Sequence, residues 1–469
     1  MALGRRAQEQ QGFWICTSEL PASPGHPFYR KLNEILGEAG FDRWIEERCR
    51  PYYAEKLGRP SLPPGTYFRM IVIGYFEGIA SQRGIAWRCS DSRSLADFLG
   101  IPLDQTTPDH STMSRVSQRL PLEVFDEMFG FVLKIAAEKK LIKGKTVGVD
   151  STTLEANAAM KSIERRDTGE DWQEYLTRLA KDAGIENPTA EDLRRFDKTR
   201  SDKKVSNDDW QSATDADAKI AKMKDGTTHL AYKAEHVVDL DSEFVLAARI
   251  TPANVGDAET MLDSVMQAQL NLDAATGTSP EMSDEPRSRE TPDRIVIKEV
   301  VGDKGYHKAS TLELASELEL RTYVPEPKRK YRYRWIDKAV GQQEAVYANR
   351  RRVRGERSKR LQRLRSERVE RSFAHICETG GARRALLRGQ EKVSKRYLIQ
   401  AAARNLGLML RKLFGVGTAK SLQGLAGVFA RLAGLACVVQ IAIGCLWDIC
   451  RLATQRTVAP AKFSTAKRF

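Results

Sequence analysis

The stretch TVGVDSTTLEA, residues 146–156, decides the fold. Its apolar, β-branched opening, Thr146–Val149, runs into Asp150, which predicts a short strand with an acid at its tip. Working outward, Ala231–Val238 and Phe244–Ile250 read as two strands around the turn Asp239-Leu240-Asp241-Ser242, an antiparallel hairpin. Asp257–Leu270 is helical, and Asn271–Pro292, rich in Ser, Thr, Pro, Asp and Glu, is a surface loop. A second β-branched run, Arg294–Val301, leads into VVGDKGYHKAS, residues 300–310, with a turn at Gly302–Gly305. A helix at Ser310–Leu318, a strand at Leu320–Val324 and helices to about Phe414 follow. Strand, hairpin, helix, strand, helix, strand, helix is the order of the RNase H-like α/β fold, a mixed five-stranded sheet with flanking helices. In that topology the first and fourth strands are neighbours at the sheet's centre. Asp150 and Asp303 therefore converge despite 152 intervening residues.

A third acid lies on a helix, in ERVERSFAHI at residues 367–376, where Leu361, Leu364, Val369, Phe373 and Ile376 mark an approximate apolar face and Glu370 stands at its edge. Glu367 and Glu378 are rivals for the same role, and a surface ion pair is the structural alternative. Two strand-end aspartates and a helix glutamate suit two Mg²⁺ ions, with Mn²⁺ as a substitute, because Mg²⁺ prefers oxygen ligands and keeps several waters. Two such ions roughly 3.5–4 Å apart clamp the attacking and leaving oxygens of an in-line phosphodiester displacement. Carboxylates held close repel one another, and a divalent cation resolves the repulsion. The glycines around Asp303 admit a sharp turn and a phosphate, and Lys304 is placed to neutralise that phosphate. No Ser/His/Asp arrangement offers a covalent nucleophile. The six histidines form no HxH or HExxH pattern.

The chain has 469 residues and a net charge of +14, so it holds more than one domain and favours a polyanionic partner. Residues 326–371 carry 17 Lys and Arg against 6 Asp and Glu, a net of +11. Lys328, Arg329, Lys330, Arg332, Arg334 and the triplet Arg350, Arg351 and Arg352 suit phosphate contacts, and Trp335 among them can stack on a base. A solvated charged helix is the plainer alternative. Before the sheet, Tyr67, Met70, Ile71, Gly74, Tyr75 and Gly78 recur at helical spacing, Asp91–Gly100 reads as a short helix, and Asp109 or Ser111 caps another. The organisation predicted is an N-terminal region at 1–66 without strong period, an all-α domain at 67–141, a catalytic domain at 142–414 and an apolar helical tail at 415–469. The catalytic domain carries insertions at 157–228, read as helical, and at 326–360. The helix at 109–120, with Arg115, Gln118 and Arg119, either lies against DNA or forms the polar face of a bundle. Seven cysteines without a CxxC pair speak against structural zinc, and with no secretory signal they point to reduced thiols in the cytoplasm. The apolar stretch Leu422–Cys450 is expected to be a buried or oligomer-packing hairpin rather than a membrane span.

Taken together, GVDSTTLEANAAM, TDADAKIAKMKDGTTHLAYKAEHVVDLDS, VVGDKGY and RVERSFAHICETGGARRALLRGQEKV resemble the bacterial DDE transposases of the insertion sequence four/five superfamily. YFRMIVIGYFEGIASQRGIAWRCSDSRSLADFLGI and PDHSTMSRVSQRL resemble the helical N-terminal domain common in that group. The likeness covers roughly residues 67–414. It implies that Asp150, Asp303 and Glu370 are the metal-binding catalytic triad, Glu370 lying in the Val-Glu-x-x-Phe context. It also implies cut-and-paste movement of an element through cleavage of double-stranded DNA at its terminal inverted repeats and strand transfer into target DNA, by a homodimer on DNA. Many relatives carry an Arg four residues before the glutamate and a Lys seven after. Here those positions are Ser366 and Cys377, so Arg365 or Arg368, and Arg383 or Arg384, are expected to take over phosphate contacts, and hairpin-type end processing is in doubt. A structure-specific nuclease such as a junction resolvase, and a non-catalytic DNA-binding descendant, are the alternatives.

Overall fold

The structure is a computed structural model, and it describes residues 25–54, 61–102, 104–201, 205–223, 226–278, 294–328, 335 and 339–419. The described residues begin with seven α-helices. The first two, α1 (Pro27–Glu38) and α2 (Phe41–Cys49), fall in the N-terminal region expected to have no strong period. In fact α1 does carry a helical period, Phe28, Tyr29, Leu32, Ile35 and Leu36, but the left-handed Gly40 at φ 66° interrupts it before the nine-residue α2. In α3 (Pro64–Glu77), Pro64 takes the first turn and Gly78 closes the end at φ 73°. After α4 (Gln82–Ser90) and α5 (Arg93–Phe98) comes α6 (His110–Arg119), then α7 (Leu122–Glu138). Of the two caps the sequence allowed for α6, Asp109 is the one used: its carboxylate accepts from the Ser111 amide at 2.7 Å. Arg69 ties the bundle, donating to Asp42 at 2.5 and 2.8 Å and to Asn33 at 3.0 Å from between the rings of Phe41 and Phe98.

The sheet region opens with β1 (Thr146–Glu155). The segment after it holds β2 (Ile163–Arg165), α8 (Trp172–Asp182), α9 (Ala190–Thr199), β3 (Trp210–Ser212) and β4 (Lys219–Lys222). The reading of 157–228 as helical is therefore half right: two helices close a small core of Leu176, Ala180 and Leu193, but short strands flank them. The chain continues through β5 (Thr228–Asp239), β6 (Val245–Pro252), α10 (Asp257–Thr276), β7 (Glu299–Val301), α11 (Ala309–Glu317), β8 (Arg321–Tyr323), α12 (Val340–Arg354), α13 (Glu356–Phe373) and α14 (Gln390–Phe414).

The main sheet runs β4-β5-β1-β7-β8, with β6 also paired to β5. β1 is antiparallel to β5 and parallel to β7, and β7 is parallel to β8. This is the RNase H-like arrangement, preceded by the helical region. One detail differs from expectation. β1 does not end at Asp150; it runs on to Glu155, because β5 keeps pairing with it after β7 has stopped at Val301. Asp150 thus sits inside a strand, just past the last parallel pair, Gly148 with Val301. Alternate residues point to opposite faces. Asp150 and its cross-strand partner His236 reach α13 and α14, whereas Ser151 and its partner Glu235 reach α10. Among the described residues no helix is long and apolar enough to cross a membrane. The apolar segment Leu422–Cys450 lies outside them.

Candidate active site

The β1–β7 register aligns Gly148 with Val301, so two residues further on Asp150 comes level with Asp303. The two acids feel each other: burial first, and then the charge of Asp303, raise the Asp150 carboxyl above its ordinary value. Arg365 opposes this, its Nη1 lying 2.5 Å from Asp150 Oδ2. Asp303 opens a single 3₁₀ turn, Lys304–Tyr306, and its Oδ1 accepts from the Gly305 amide at 2.7 Å. Tyr306 turns inward, and its hydroxyl donates to buried Glu235 at 2.9 Å. A fourth acid sits close by. A Cβ on Gly305 would stand 3.0 Å from Asp303 Oδ1 and 3.1 Å from Asp257 Oδ2. Asp257, in the first turn of α10, accepts from Ser151 Oγ and pairs with Lys233 Nζ, each at 2.7 Å.

α13 crosses the sheet under the carboxylates and is pinned along its length. Arg357 reaches buried Glu299 at 2.6 Å, Gln362 donates to the carbonyls of Gly302 and Tyr323 at 3.0 and 2.7 Å, and Arg365 pairs with Asp150. Gly148 makes the crossing possible: a Cβ there would lie 2.7 Å from Leu240 Cδ2, 3.0 Å from Val369 Cγ2 and 3.1 Å from Arg365 Cγ. Gly148→Val is therefore expected to lift α13 off the sheet and lower stability by about 1–3 kcal/mol, the usual cost of overpacking. Urea unfolding checks it, and an unchanged midpoint would mean that α13 is not seated there.

Glu370 is exposed, and among its described contacts is Ser366 Oγ at 3.1 Å. At 100° per residue it lies about 200° around α13 from Arg368, whose guanidinium donates to the Leu240 carbonyl. Arg368 thus lies on the sheet-facing side of α13, about 60° from Arg365, but is held by the Leu240 carbonyl and by Glu243 rather than by Asp150 or Asp303. Arg363 shares the outer stripe with Glu370. Among the described residues no three His, Cys, Asp or Glu side chains converge closely enough to hold a metal. The structure brings Asp150 and Asp303 together and leaves Glu370 pointing outward on the helix that Arg365 ties to them. In donor chemistry the pair fits a hard divalent cation: two adjacent carboxylates, with a cationic group already drawn to one of them.

The other residues singled out for DNA divide. Arg329, Lys330, Arg332 and Arg334 lie outside the described residues. Lys304, Lys328 and Arg351 are exposed. Trp335 packs near Tyr347, ring centroids 5.9 Å apart. Arg350 forks onto Glu326 at 2.7 and 3.1 Å, and half-buried Arg352 bonds the Thr322 carbonyl and hydroxyl at 2.9 and 3.1 Å. Arg383 and Arg384 are exposed beside Glu378 and Glu155, at 2.7 and 3.7 Å. Cys377, seven residues after Glu370, is buried in a π-helical turn, Ala374–Thr379, and burial pushes its thiol up to about 11. Cys49 and Cys89 are pushed up to about 12 in the same way, so none of the three is a poised nucleophile. Sequence reading passed over Asp257, Glu235, His236 and Arg363. Glu235 and His236 do interrupt the apolar run of β5, the one signal that could have flagged them.

Two family models match the chain. A transposase domain (DUF772) matches residues 18–119, spanning α1 to α6, and a transposase DDE domain matches residues 196–406. Together they cover two thirds of the chain, which belongs to the DDE-type insertion-sequence transposases. No curated protein matches it. The second match takes in Asp303 and Glu370 but begins after β1, so Asp150 rests on the strand register. Membership makes the chain an enzyme of DNA transposition and DNA its partner.

Proposed function

We propose that the protein cuts double-stranded DNA at the terminal inverted repeats of its element and joins the freed 3′ ends to target DNA, with Asp150, Asp303 and Glu370 as the catalytic acids. The observation that carries this is the register that sets Asp150 beside Asp303. Those two would hold the divalent ions, Mg²⁺ or Mn²⁺, with Glu370 completing the set from α13. Bound there, the ions would activate water or a 3′-OH and stabilise the charge that develops on the phosphate. The rest falls to the chain's own groups. Arg365 neutralises Asp150 in the metal-free protein and is placed to turn to a phosphate. Lys304 flanks Asp303 from the solvent side, and Lys328, Arg351, Arg354, Arg360 and Arg363 are among the exposed members of the basic track leading to Glu370. Bringing two element ends together calls for two copies, one at each end, acting in the cytoplasm where the DNA lies.

The test incubates the protein with DNA carrying the inverted repeats that flank its gene, a target plasmid and Mg²⁺ or Mn²⁺. Joined products are expected. Hydrolysis without joining would favour a structure-specific nuclease, and binding without either would favour a non-catalytic DNA binder. If the basic track contacts phosphates, affinity should fall about 10³-fold or more between 50 and 200 mM salt for six or more contacts. A shallow salt dependence would remove the track from the interface.

A further inference from the structure

We propose that two adjacent residues of β5, Glu235 and His236, form a two-sided clamp that fixes the turn bearing Asp303 and the helix bearing Glu370 relative to the strand that carries Asp150. This rests on the catalytic reading above. The pair lies directly across from Ser151 and Asp150, and the pleat sends their side chains to opposite faces of the sheet. On one face Glu235 is buried and accepts from Tyr306 Oη at 2.9 Å and from Thr260 Oγ1 at 2.7 Å, with Ser264 Oγ as a third donor. Tyr306 closes the turn that Asp303 opens, so Glu235 fixes where that turn stands relative to β1.

On the other face His236 is fully buried and grips two helices. Its Nδ1 is 2.7 Å from Ser372 Oγ, its Nε2 is 2.8 Å from Tyr397 Oη, and its ring stacks on Phe373 at 4.0 Å. The tautomer follows from the partners. Ser372 donates its proton to the Val369 carbonyl at 2.7 Å, so the Nδ1–H of His236 donates to Ser372 and Nε2 accepts from Tyr397. Ser372 is two residues past Glu370. The residue opposite Asp150 thus sets the rotation and height of the helix that carries Glu370. Neither Glu235 nor His236 touches the reacting atoms, so both are positioning residues, comparable to the outer-shell partners that orient metal ligands elsewhere.

The test uses Tyr306→Phe and Ser372→Ala, which each delete one buried hydroxyl from the clamp's far ends, with Asp150→Asn alongside. Mn²⁺ binding to the full chain is measured by titration calorimetry, and hydrogen exchange is followed in the metal-free protein. Each hydroxyl deletion is expected to weaken Mn²⁺ binding about 10- to 100-fold. Tyr306→Phe should loosen residues 302–307 and Ser372→Ala residues 366–373, with DNA affinity unchanged in both. His236→Asn keeps a donor toward Ser372 and should bind Mn²⁺ more tightly than His236→Ala, a comparison that stands even if a hydroxyl deletion fails to fold. The clamp is overturned if the deletions bind Mn²⁺ as wild type does while Asp150→Asn does not, or if the two His236 variants behave alike. Should Asp150→Asn itself bind Mn²⁺ normally, the catalytic reading fails and the clamp falls with it.

Discussion

Asp150→Asn is expected to cut the rate of end cleavage and strand transfer by about 10³-fold or more, since a metal ligand supplies several kcal/mol of transition-state stabilisation. DNA binding should persist, because the substitution leaves the exposed Lys and Arg side chains untouched. The accompanying stability change has a definite sign. Burial and Asp303 raise the Asp150 carboxyl in the folded protein, so its ionised form is held at a cost near neutral pH. A neutral amide removes that cost and also loses the pairing with Arg365. The variant is thus expected to unfold at or slightly above the wild-type midpoint while being inactive. An inactive variant with a much lower midpoint would mean that Asp150 serves the fold, and an active one would remove it from the site. Single-turnover cleavage with melting curves on the same samples decides.

The element order was legible because each strand of the sheet announces itself locally. Thr146–Val149 is a β-branched run and the hairpin strands are largely apolar stretches around a polar turn, and their pairing follows from the topology that such an order allows. The limits of β1 were not legible. Ser151, Thr152 and Thr153 are polar and look like a turn, yet they stay in the strand because β5 supplies ladder partners that no local pattern encodes. Of the two missed helices, α1 carried a readable period in Phe28, Tyr29, Leu32, Ile35 and Leu36, whereas the nine-residue α2 is too short to build one and is held by tertiary contacts such as Arg69 to Asp42. Among the candidate acids, Asp150 and Asp303 could be singled out because each follows an apolar, β-branched run and glycines flank Asp303, although Asp150 proved to lie inside its strand. Glu370 depended on its family context, and the structure leaves it on an exposed stripe. The buried pair Glu235 and His236 could not be assigned roles, because their partners Tyr306, Ser372 and Tyr397 lie 71, 136 and 161 residues away.

Arg365→Met is expected to reverse the pattern of Asp150→Asn. The Arg365 side chain is 11% exposed and that of Asp150 23%, so the pair is largely withdrawn from water. Removing the cation leaves Asp150 beside Asp303 without a counter-charge. Breaking a fully buried pair costs about 3–5 kcal/mol, and the partial exposure here brings the expected loss to about 2 kcal/mol at neutral pH. The loss should fade on acidification. Asp150 starts from a raised folded-state value, and without Arg365 it rises further, so protonation relieves the destabilisation as the pH falls through that raised value. Divalent metal should relieve it as well. An ion that binds only the folded protein stabilises it by RT ln(1 + [L]/Kd), and in the variant it no longer competes with Arg365 for Asp150. Mg²⁺ or Mn²⁺ should therefore raise the melting point of Arg365→Met by more than that of wild type. Equal shifts in the two proteins would show that the ion does not use the position Arg365 holds. A variant as stable as wild type without metal would show that the 2.5 Å contact to Asp150 contributes nothing to the resting site.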